Sequence, residues 1–286
     1  MAESKKSKSL EIITEKVDSI PSLPEISGRI VKLVNREKTT IEELSQAIRT
    51  DPSLASLLLR YANSSYYGLA GKINNIQRAI TVLGFNTVRS LALSYGVEKK
   101  YTAPEIPDFP RQEFWDYSLA VGAASEIIAR RLSYDSESRS EAFSAGHLHA
   151  IGKTIIDQHL HEKFVKIFQV MRQEEIPMYE AEQKVLETTH CEVGAEVLKS
   201  WDLPEKLSLS ARYYHEPEES DEELVTVVHF ASVLAKTLEL GFSGDCNLEY
   251  LRDDLVDELE LKESDIEAII QEELPSEFDK ITAIKS

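Results

Sequence analysis

The stretch that most constrains the fold and chemistry of this sequence is Gly146-His147-Leu148-His149-Ala150-Ile151-Gly152-Lys153. Further histidines follow in His190-Cys191-Glu192-Val193-Gly194 and in Tyr213-Tyr214-His215-Glu216-Pro217. Histidines spread over several helices are the means by which a helical bundle brings distant ligands to one metal ion. Imidazole nitrogens bind divalent transition metals, which activate water as a nucleophile. The spacing alone is a weak signal, because a histidine in a helix is more often an ordinary packed or surface residue.

The composition on both sides of this stretch favours helix. The 286 residues include only 11 Gly and 10 Pro, and Leu, Ile, Ala, Glu and Lys dominate, so helix formers outnumber helix breakers. The apolar spacing in the second part of the chain predicts helices near residues 114–132, 140–150, 153–173, 178–188, 190–201, 204–214, 222–240, 248–259 and 264–274. The predicted fold class is all-α.

Helix boundaries in the first hundred residues are indicated by capping residues. Thr40 with Glu43 three residues later has the pattern of a capping box, and Asp51 before a proline is a typical N-cap. A further helix should start near Asn75 and end at Gly84. Asn86 is then expected to cap a helix that runs to about residue 95.

A proline-rich segment divides the sequence. Residues 102–110 contain Pro104, Pro107 and Pro110, and no helix should cross them. We therefore expect a disordered lead at residues 1–9, an N-terminal helical bundle at 10–103, and a second bundle with acidic C-terminal helices at 111–286.

Charge and cysteine content restrict the class of protein. The net charge is −18, from 32 Lys+Arg and 50 Asp+Glu. Residues 1–100 carry 15 Lys+Arg against 10 Asp+Glu, and the remaining residues carry 17 Lys+Arg against 40 Asp+Glu. Nucleic acid is therefore not an expected partner. No apolar run of about 18 residues and no signal peptide is visible, so we expect no membrane span and a cytoplasmic location. Cys191 and Cys246 are too few for a disulfide framework, and neither is assigned a role.

Several ordered motifs resemble the HDOD family, whose name marks it as an output domain related to HD hydrolases. They cover roughly residues 10–240 and include the stretches 20–24, 51–52, 62–64, 76–84, 114–118, 146–153, 190–194, 201–204 and 215–217. The resemblance implies an N-terminal helical bundle packed on a degenerate HD-domain-like helical bundle. It also implies a bacterial signalling module.

The resemblance also maps the metal ligands of HD and HD-GYP hydrolases onto this chain. Those enzymes use an early His, a His-Asp pair, further histidines and a late Asp, and the matching positions here are Tyr117, His149-Ala150, His190, Tyr214-His215 and Ser232. A methyl group at Ala150 cannot bind a cation, and neutral hydroxyls are poor ligands near neutral pH. The mapping therefore predicts no catalytic residue, no cofactor and no bound metal. If a metal does bind, the expected ligands are His149, His190 and His215.

The expected function is non-catalytic signal transduction through a protein partner, with a small ligand as the second candidate partner. The residues expected to line a ligand-binding groove are Tyr117, His149, His190, Tyr214, His215 and Ser232. Lys153 is expected to be structural or to face solvent. The competing hypothesis is a metal-dependent phosphohydrolase or phosphodiesterase with a reduced metal site.

A second alternative is DNA binding through residues 76–93, whose helix, Leu-Gly turn and second helix have the layout of a helix-turn-helix. Asn86, Thr87 and Arg89 would then read the major groove. Only two basic residues, Arg78 and Arg89, lie between Lys72 and Glu98, whereas phosphate contacts normally need several. Packing of antiparallel helices also explains the pattern.

Overall fold

The computed structural model describes residues 25–36, 38–64, 72–100, 102–245, 247, 255 and 258–282. Within these ranges every regular element is a helix, apart from one isolated bridge between Ile106 and Phe109. The predicted all-α class is therefore confirmed. The lead at 1–9, the motif at 20–24 and most of the helix expected at 248–259 lie outside the described residues.

The helices are numbered in chain order. The first four are α1 (Glu25–Val34), α2 (Ile41–Ile48), α3 (Pro52–Ala62) and α4 (Ile76–Lys99). The next eight are α5 (Arg111–Arg131), α6 (Ser136–Leu148), α7 (Ile151–His159), α8 (His161–Glu174), α9 (Met178–Leu186), α10 (His190–Ser200), α11 (Glu205–Tyr213) and α12 (Glu223–Thr237). The C-terminal part contains α13 (Glu263–Ala268), a π-helical turn (Ile269–Glu273) and α14 (Leu274–Thr282).

Three of the four predicted N-caps are present in the structure. Thr40 and Glu43 form a reciprocal capping box at the start of α2. The carboxylate of Asp51 accepts hydrogen bonds from the first amides of α3, and Asn75 caps α4 in the same way. These side chains satisfy amides that a helix start otherwise leaves without partners.

The end of the first half of α4 was predicted correctly, but the cap of its second half was not. Gly84 breaks the helix with φ +77° and ψ 162°, a conformation that favours glycine, whereas Asn86 already has helical geometry. The amide of Thr87 donates instead to the hydroxyl of Ser140 on α6, at 3.1 Å. The helix then continues to Lys99. The cap is therefore supplied by a distant helix, which local sequence does not reveal.

The long helix predicted at residues 153–173 is wrong, because the structure has two helices there. Leu160 leaves helical geometry with φ −132° and ψ 41°. One turn earlier the buried carboxylate of Asp157 pairs with Arg111 at 3.0 Å and with His161 across the break at 2.7 Å. These tertiary contacts accompany the change of direction between α7 and α8.

The packing places α5 at the centre of the second part of the chain. It lies against α6, α12 and α14, and α6 also contacts α4. The buried apolar residues form one continuous cluster that extends from Ile30 to Leu274. Among the described residues, no helix is both long enough and apolar enough to cross a membrane.

The acidic C-terminal helices are attached through two arginines at the end of α5. Arg130 pairs with Glu273 at 2.7 Å, and Arg131 pairs with Asp265 at 2.8 Å and also with Glu273. All four side chains are partly exposed. The acidic segment therefore packs against a small basic patch.

Replacing Asp51 with Ala should lower the free energy of unfolding by somewhat more than the ~1 kcal/mol typical of a lost N-cap. The reason is that Asp51 also accepts hydrogen bonds from the Tyr95 hydroxyl at 3.0 Å and the Lys99 ammonium at 3.1 Å. Asp135→Ala is the matched control, because Asp135 caps α6 through hydrogen bonds from the first turn of that helix. Urea unfolding of both variants should show the larger loss for Asp51→Ala, and equal losses would contradict this account.

The Asp51 contribution should also depend on pH. Burial tends to raise the pKa of Asp51, but hydrogen bonds from Leu54, Lys99 and Tyr95 together lower it below the ordinary value of 3.8. A carboxylate with a lowered native pKa stabilises the fold at neutral pH and loses that contribution as the pH falls through the native pKa. The stability difference between wild type and Asp51→Ala should therefore be constant near neutrality and shrink in acid.

Candidate functional site

A close crossing of α7 and α10 positions the central histidine. A methyl group on Gly152 would lie 2.0 Å from the carbonyl oxygen of His190 and 2.8 Å from the amide of Gly194. Only glycine at position 152 permits this approach. A capping box between Thr189 and Glu192 fixes the start of α10, so the backbone of His190 is held from both sides.

His190 is held by a carboxylate from α9. Glu182 is fully buried, and one of its oxygens accepts from the His190 amide at 2.9 Å and from Nδ1 at 2.6 Å. Burial keeps the pKa of His190 well below 6.5 and raises the pKa of Glu182. In the neutral ring, the hydrogen bond to this carboxylate places the proton on Nδ1. Its Nε2 is an acceptor and takes a hydrogen bond from the Tyr214 hydroxyl at 2.6 Å.

His149 lies at the end of α6 with one nitrogen paired. Its Nδ1 donates to the carbonyl of Gly146 at 2.6 Å, and burial holds its pKa well below 6.5. The ring meets Tyr117 and Tyr214 edge to face, at centroid distances of 5.6 and 4.7 Å. Its buried Nε2 has no hydrogen-bond partner among the described residues. This nitrogen is an acceptor pointing into the aromatic cluster.

His215 and Cys191 form the accessible side of the site. The ring of His215 lies against that of Tyr214, with the centroids 3.9 Å apart and the planes tilted by 36°, and its centroid is 5.4 Å from that of His190. The sulfur of Cys191 is 3.5 Å from His190 Nε2. Together they open to a groove of about 370 Å³ between α9, α10 and α11. Other residues lining this groove are Tyr179, Gln183, Thr189, Arg212 and Glu216.

The structure brings together five of the six predicted groove residues. Tyr117, His149, Tyr214, His190 and His215 form a continuous series of ring contacts. Tyr117 also borders a second groove, of about 330 Å³, with Lys236 and Asp245. Ser232 is buried on α12, where its hydroxyl donates to the carbonyl of His229 at 2.8 Å. Its described hydrogen bond is therefore within its own helix rather than to the cluster.

Three further polar residues of the site were not identified from sequence. Glu182 and Cys191 are described above. Lys153 is buried and donates to the carbonyl of Ser243 at 2.9 Å, so the solvent-facing alternative for it was wrong. Burial lowers the pKa of Lys153, while the nearby carboxylates of Glu182 and Asp245 raise it. The sequence of α7 gives little signal for this burial, because five of its nine residues are polar or charged.

The side chains do not fit the metal centre of an HD hydrolase. Ala150 is buried at the position where those enzymes have a carboxylate. The nearby carboxylate of Glu182 already accepts two hydrogen bonds from His190. Imidazoles and a thiol are the donors at this site, and they do not provide the carboxylates of the hydrolase ligand set.

The DNA-reading alternative is not supported by the environment of its key residues. Arg89 is only 4% exposed and donates to Asn35 at 3.1 Å, and burial lowers its pKa to about 10. Thr87 is bonded to Ser140 in the interior. Neither side chain is available to a base or a phosphate.

Comparison with known proteins identifies relatives by sequence. The HDOD domain model matches residues 20–217. An uncharacterised protein of Treponema pallidum (strain Nichols) is 23% identical over 230 residues, which are 79% of this chain and 44% of that protein. The chain thus spans less than half the length of this curated relative.

Three solved structures have the same fold at 24% identity. An HDOD domain protein of unknown function from Geobacter sulfurreducens has a TM-score of 0.68, with 97% of this chain and 93% of that one covered. A protein from Shewanella amazonensis SB2B, named as an inferred phosphohydrolase, has a TM-score of 0.67 with 97% and 94% covered. A protein from Marinobacter aquaeolei VT8, named as an inferred signal transduction protein, has a TM-score of 0.71 with 92% and 58% covered.

Replacing Gly152 with Ala should disturb both stability and the position of His190. The new methyl group would overlap the His190 carbonyl, and overpacking of this kind costs about 1–3 kcal/mol. Gly194→Ala is the matched control on the facing helix, because its methyl group would come no nearer than 3.3 Å to the Gly152 amide. Urea unfolding should show a clear loss for Gly152→Ala only. A loss of the same size in both variants would contradict the close crossing.

Proposed function

Because this chain belongs to the HDOD family, we propose that it is a non-catalytic signal-transduction module that acts by binding a protein partner. The Marinobacter relative is named for signal transduction, which supports this class of function. A small ligand in the groove beside His215 is the second way in which such a module could receive a signal.

The observation that carries the proposal is the hydrogen bonding of the polar core. Tyr214 occupies the free nitrogen of His190, and Glu182 occupies the other. Ala150 replaces the carboxylate that a phosphohydrolase needs. Mutually hydrogen-bonded side chains stabilise one arrangement of helices, whereas a hydrolytic centre needs a cation that activates water.

The groove between α9, α10 and α11 provides a surface on which binding could change that arrangement. Arg212 and His215 line it, and the ring of His215 is in contact with that of Tyr214. We propose that the helices have a second arrangement in which His215 is placed differently. A partner that contacts His215 in only one of these two arrangements would shift the population towards that one. The signal would then pass from the groove to the buried imidazoles.

The second candidate function is hydrolysis of a phosphoester or cyclic nucleotide. It is favoured by the buried Nε2 of His149, which has no hydrogen-bond partner among the described residues, and by the name of the Shewanella relative. An imidazole nitrogen with no hydrogen-bond partner has a lone pair that can bind a cation. The absence of an acidic residue at position 150 argues against turnover.

The catalytic alternative can be tested by assaying the purified 286-residue chain in the presence of manganese, iron(II) or zinc. We expect no release of phosphate or nucleotide from phosphomonoesters or cyclic dinucleotides above the rate of a His149→Ala variant. Hydrolysis that depends on His149 would make the chain an enzyme and would refute the proposal.

Partner binding can be tested by quantitative affinity capture from bacterial extract. A specific partner should be retained by wild type and by Arg49→Glu, a charge reversal at the exposed residue that follows α2. It should be lost with Arg212→Glu, because Arg212 lines the groove. Equal capture by both variants would exclude this groove as the binding surface.

A further inference from the structure

The orientation of His190 is typical of a metal ligand. Glu182 accepts a hydrogen bond from Nδ1 of His190, which leaves the lone pair of Nε2 directed away from the carboxylate. In metalloproteins a ligand histidine commonly donates its second nitrogen to a carboxylate, which fixes its tautomer and its ring orientation. Tautomer and orientation are thus already set for coordination through Nε2.

Two further donor atoms lie around this lone pair. One ligand atom from each of His190, Cys191 and His215 lies within 4.8 Å of the others. The Cys191 sulfur is 3.5 Å from His190 Nε2. Tetrahedral zinc, with bonds of about 2.3 Å to sulfur and 2.0–2.1 Å to nitrogen, holds such a pair roughly 3.6 Å apart. This edge of the coordination tetrahedron already has the required length.

We propose that His190, Cys191 and His215 bind one zinc ion, with the fourth coordination position open to the groove. Zinc is favoured because thiolate and imidazole ligands suit a borderline-soft cation, whereas calcium and magnesium prefer oxygen. On binding, the Cys191 thiol loses its proton to water and the sulfur bonds to the ion. Cys191 and His215 both line the groove, so the ion can enter from solvent.

This inference goes beyond the proposed function, because it assigns a cation to the module whether or not a partner binds. The proposed ligands also differ from the metal ligands expected from sequence, because Cys191 takes the place of His149. Zinc here would join α10 to the residue that follows Tyr214, and so would link the two helices that border the groove.

Tyr214 competes with the ion. Its hydroxyl donates to His190 Nε2 at 2.6 Å and so uses the lone pair that zinc needs. Coordination must break this hydrogen bond. Tyr214→Phe removes the competitor and keeps the ring, so it should tighten zinc binding by about twofold to tenfold, the worth of one neutral hydrogen bond. A general loss of structure would weaken binding instead.

The test is zinc titration of the metal-free full chain against a chromophoric chelator. We expect one zinc per chain, and with cobalt(II) a near-ultraviolet absorption from thiolate coordination. Cys191→Ser should remove that absorption. It should also weaken zinc binding by more than the roughly tenfold to hundredfold that loss of an outer ligand partner costs. Cys246→Ser and His159→Ala are the controls and should bind as wild type does.

Circular dichroism of each metal-free variant separates loss of ligand from loss of fold. Three results would overturn the proposal: no stoichiometric zinc in folded wild type, unchanged affinity in folded Cys191→Ser, or loss of binding in His149→Ala with Cys191→Ser unaffected. Stoichiometric zinc without turnover supports both this site and the regulatory function. Zinc with His149-dependent hydrolysis refutes only the regulatory function, and a lack of zinc refutes only this site.

Discussion

The polar core depends on one buried carboxylate, that of Glu182, which accepts two hydrogen bonds from His190. Taking a carboxylate out of water is costly unless donors surround it. Here the donors are the first amide of α10 and its imidazole. This pairing determines the tautomer of His190, and the tautomer determines what its second nitrogen accepts. The Tyr214 hydroxyl is bonded to this second nitrogen, and the ring of His215 lies against the ring of Tyr214.

Most of the fold could be predicted from sequence because it is locally determined. The caps at Thr40, Asp51 and Asn75 are made by side chains within three residues of the amides that they satisfy. Errors occurred where a distant group decides the geometry. Ser140 caps the second half of α4, and the break at Leu160 accompanies contacts of Asp157 with Arg111 and His161.

The site was only partly predictable for the same reason. The resemblance led to Tyr117, His149, His190, Tyr214 and His215, which the structure brings into contact. Glu182 and Cys191 have no distinctive sequence context, and their importance comes from the crossing of α7 and α10 at Gly152. Arg89 was a plausible surface residue by pattern, yet tertiary packing buries it.

Helix α6 connects a buried hydrogen bond near its start with the histidine cluster at its end. Near its start, Ser140 satisfies a buried amide in the N-terminal helices, and its last turn leads directly into His149. A helix is stiff along its axis, so displacement at the imidazoles would be transmitted to Ser140. The amide of Thr87 would then be uncapped in the interior, which is unfavourable. A movement of α6 at its imidazole end would therefore carry an energetic penalty at the buried amide of Thr87.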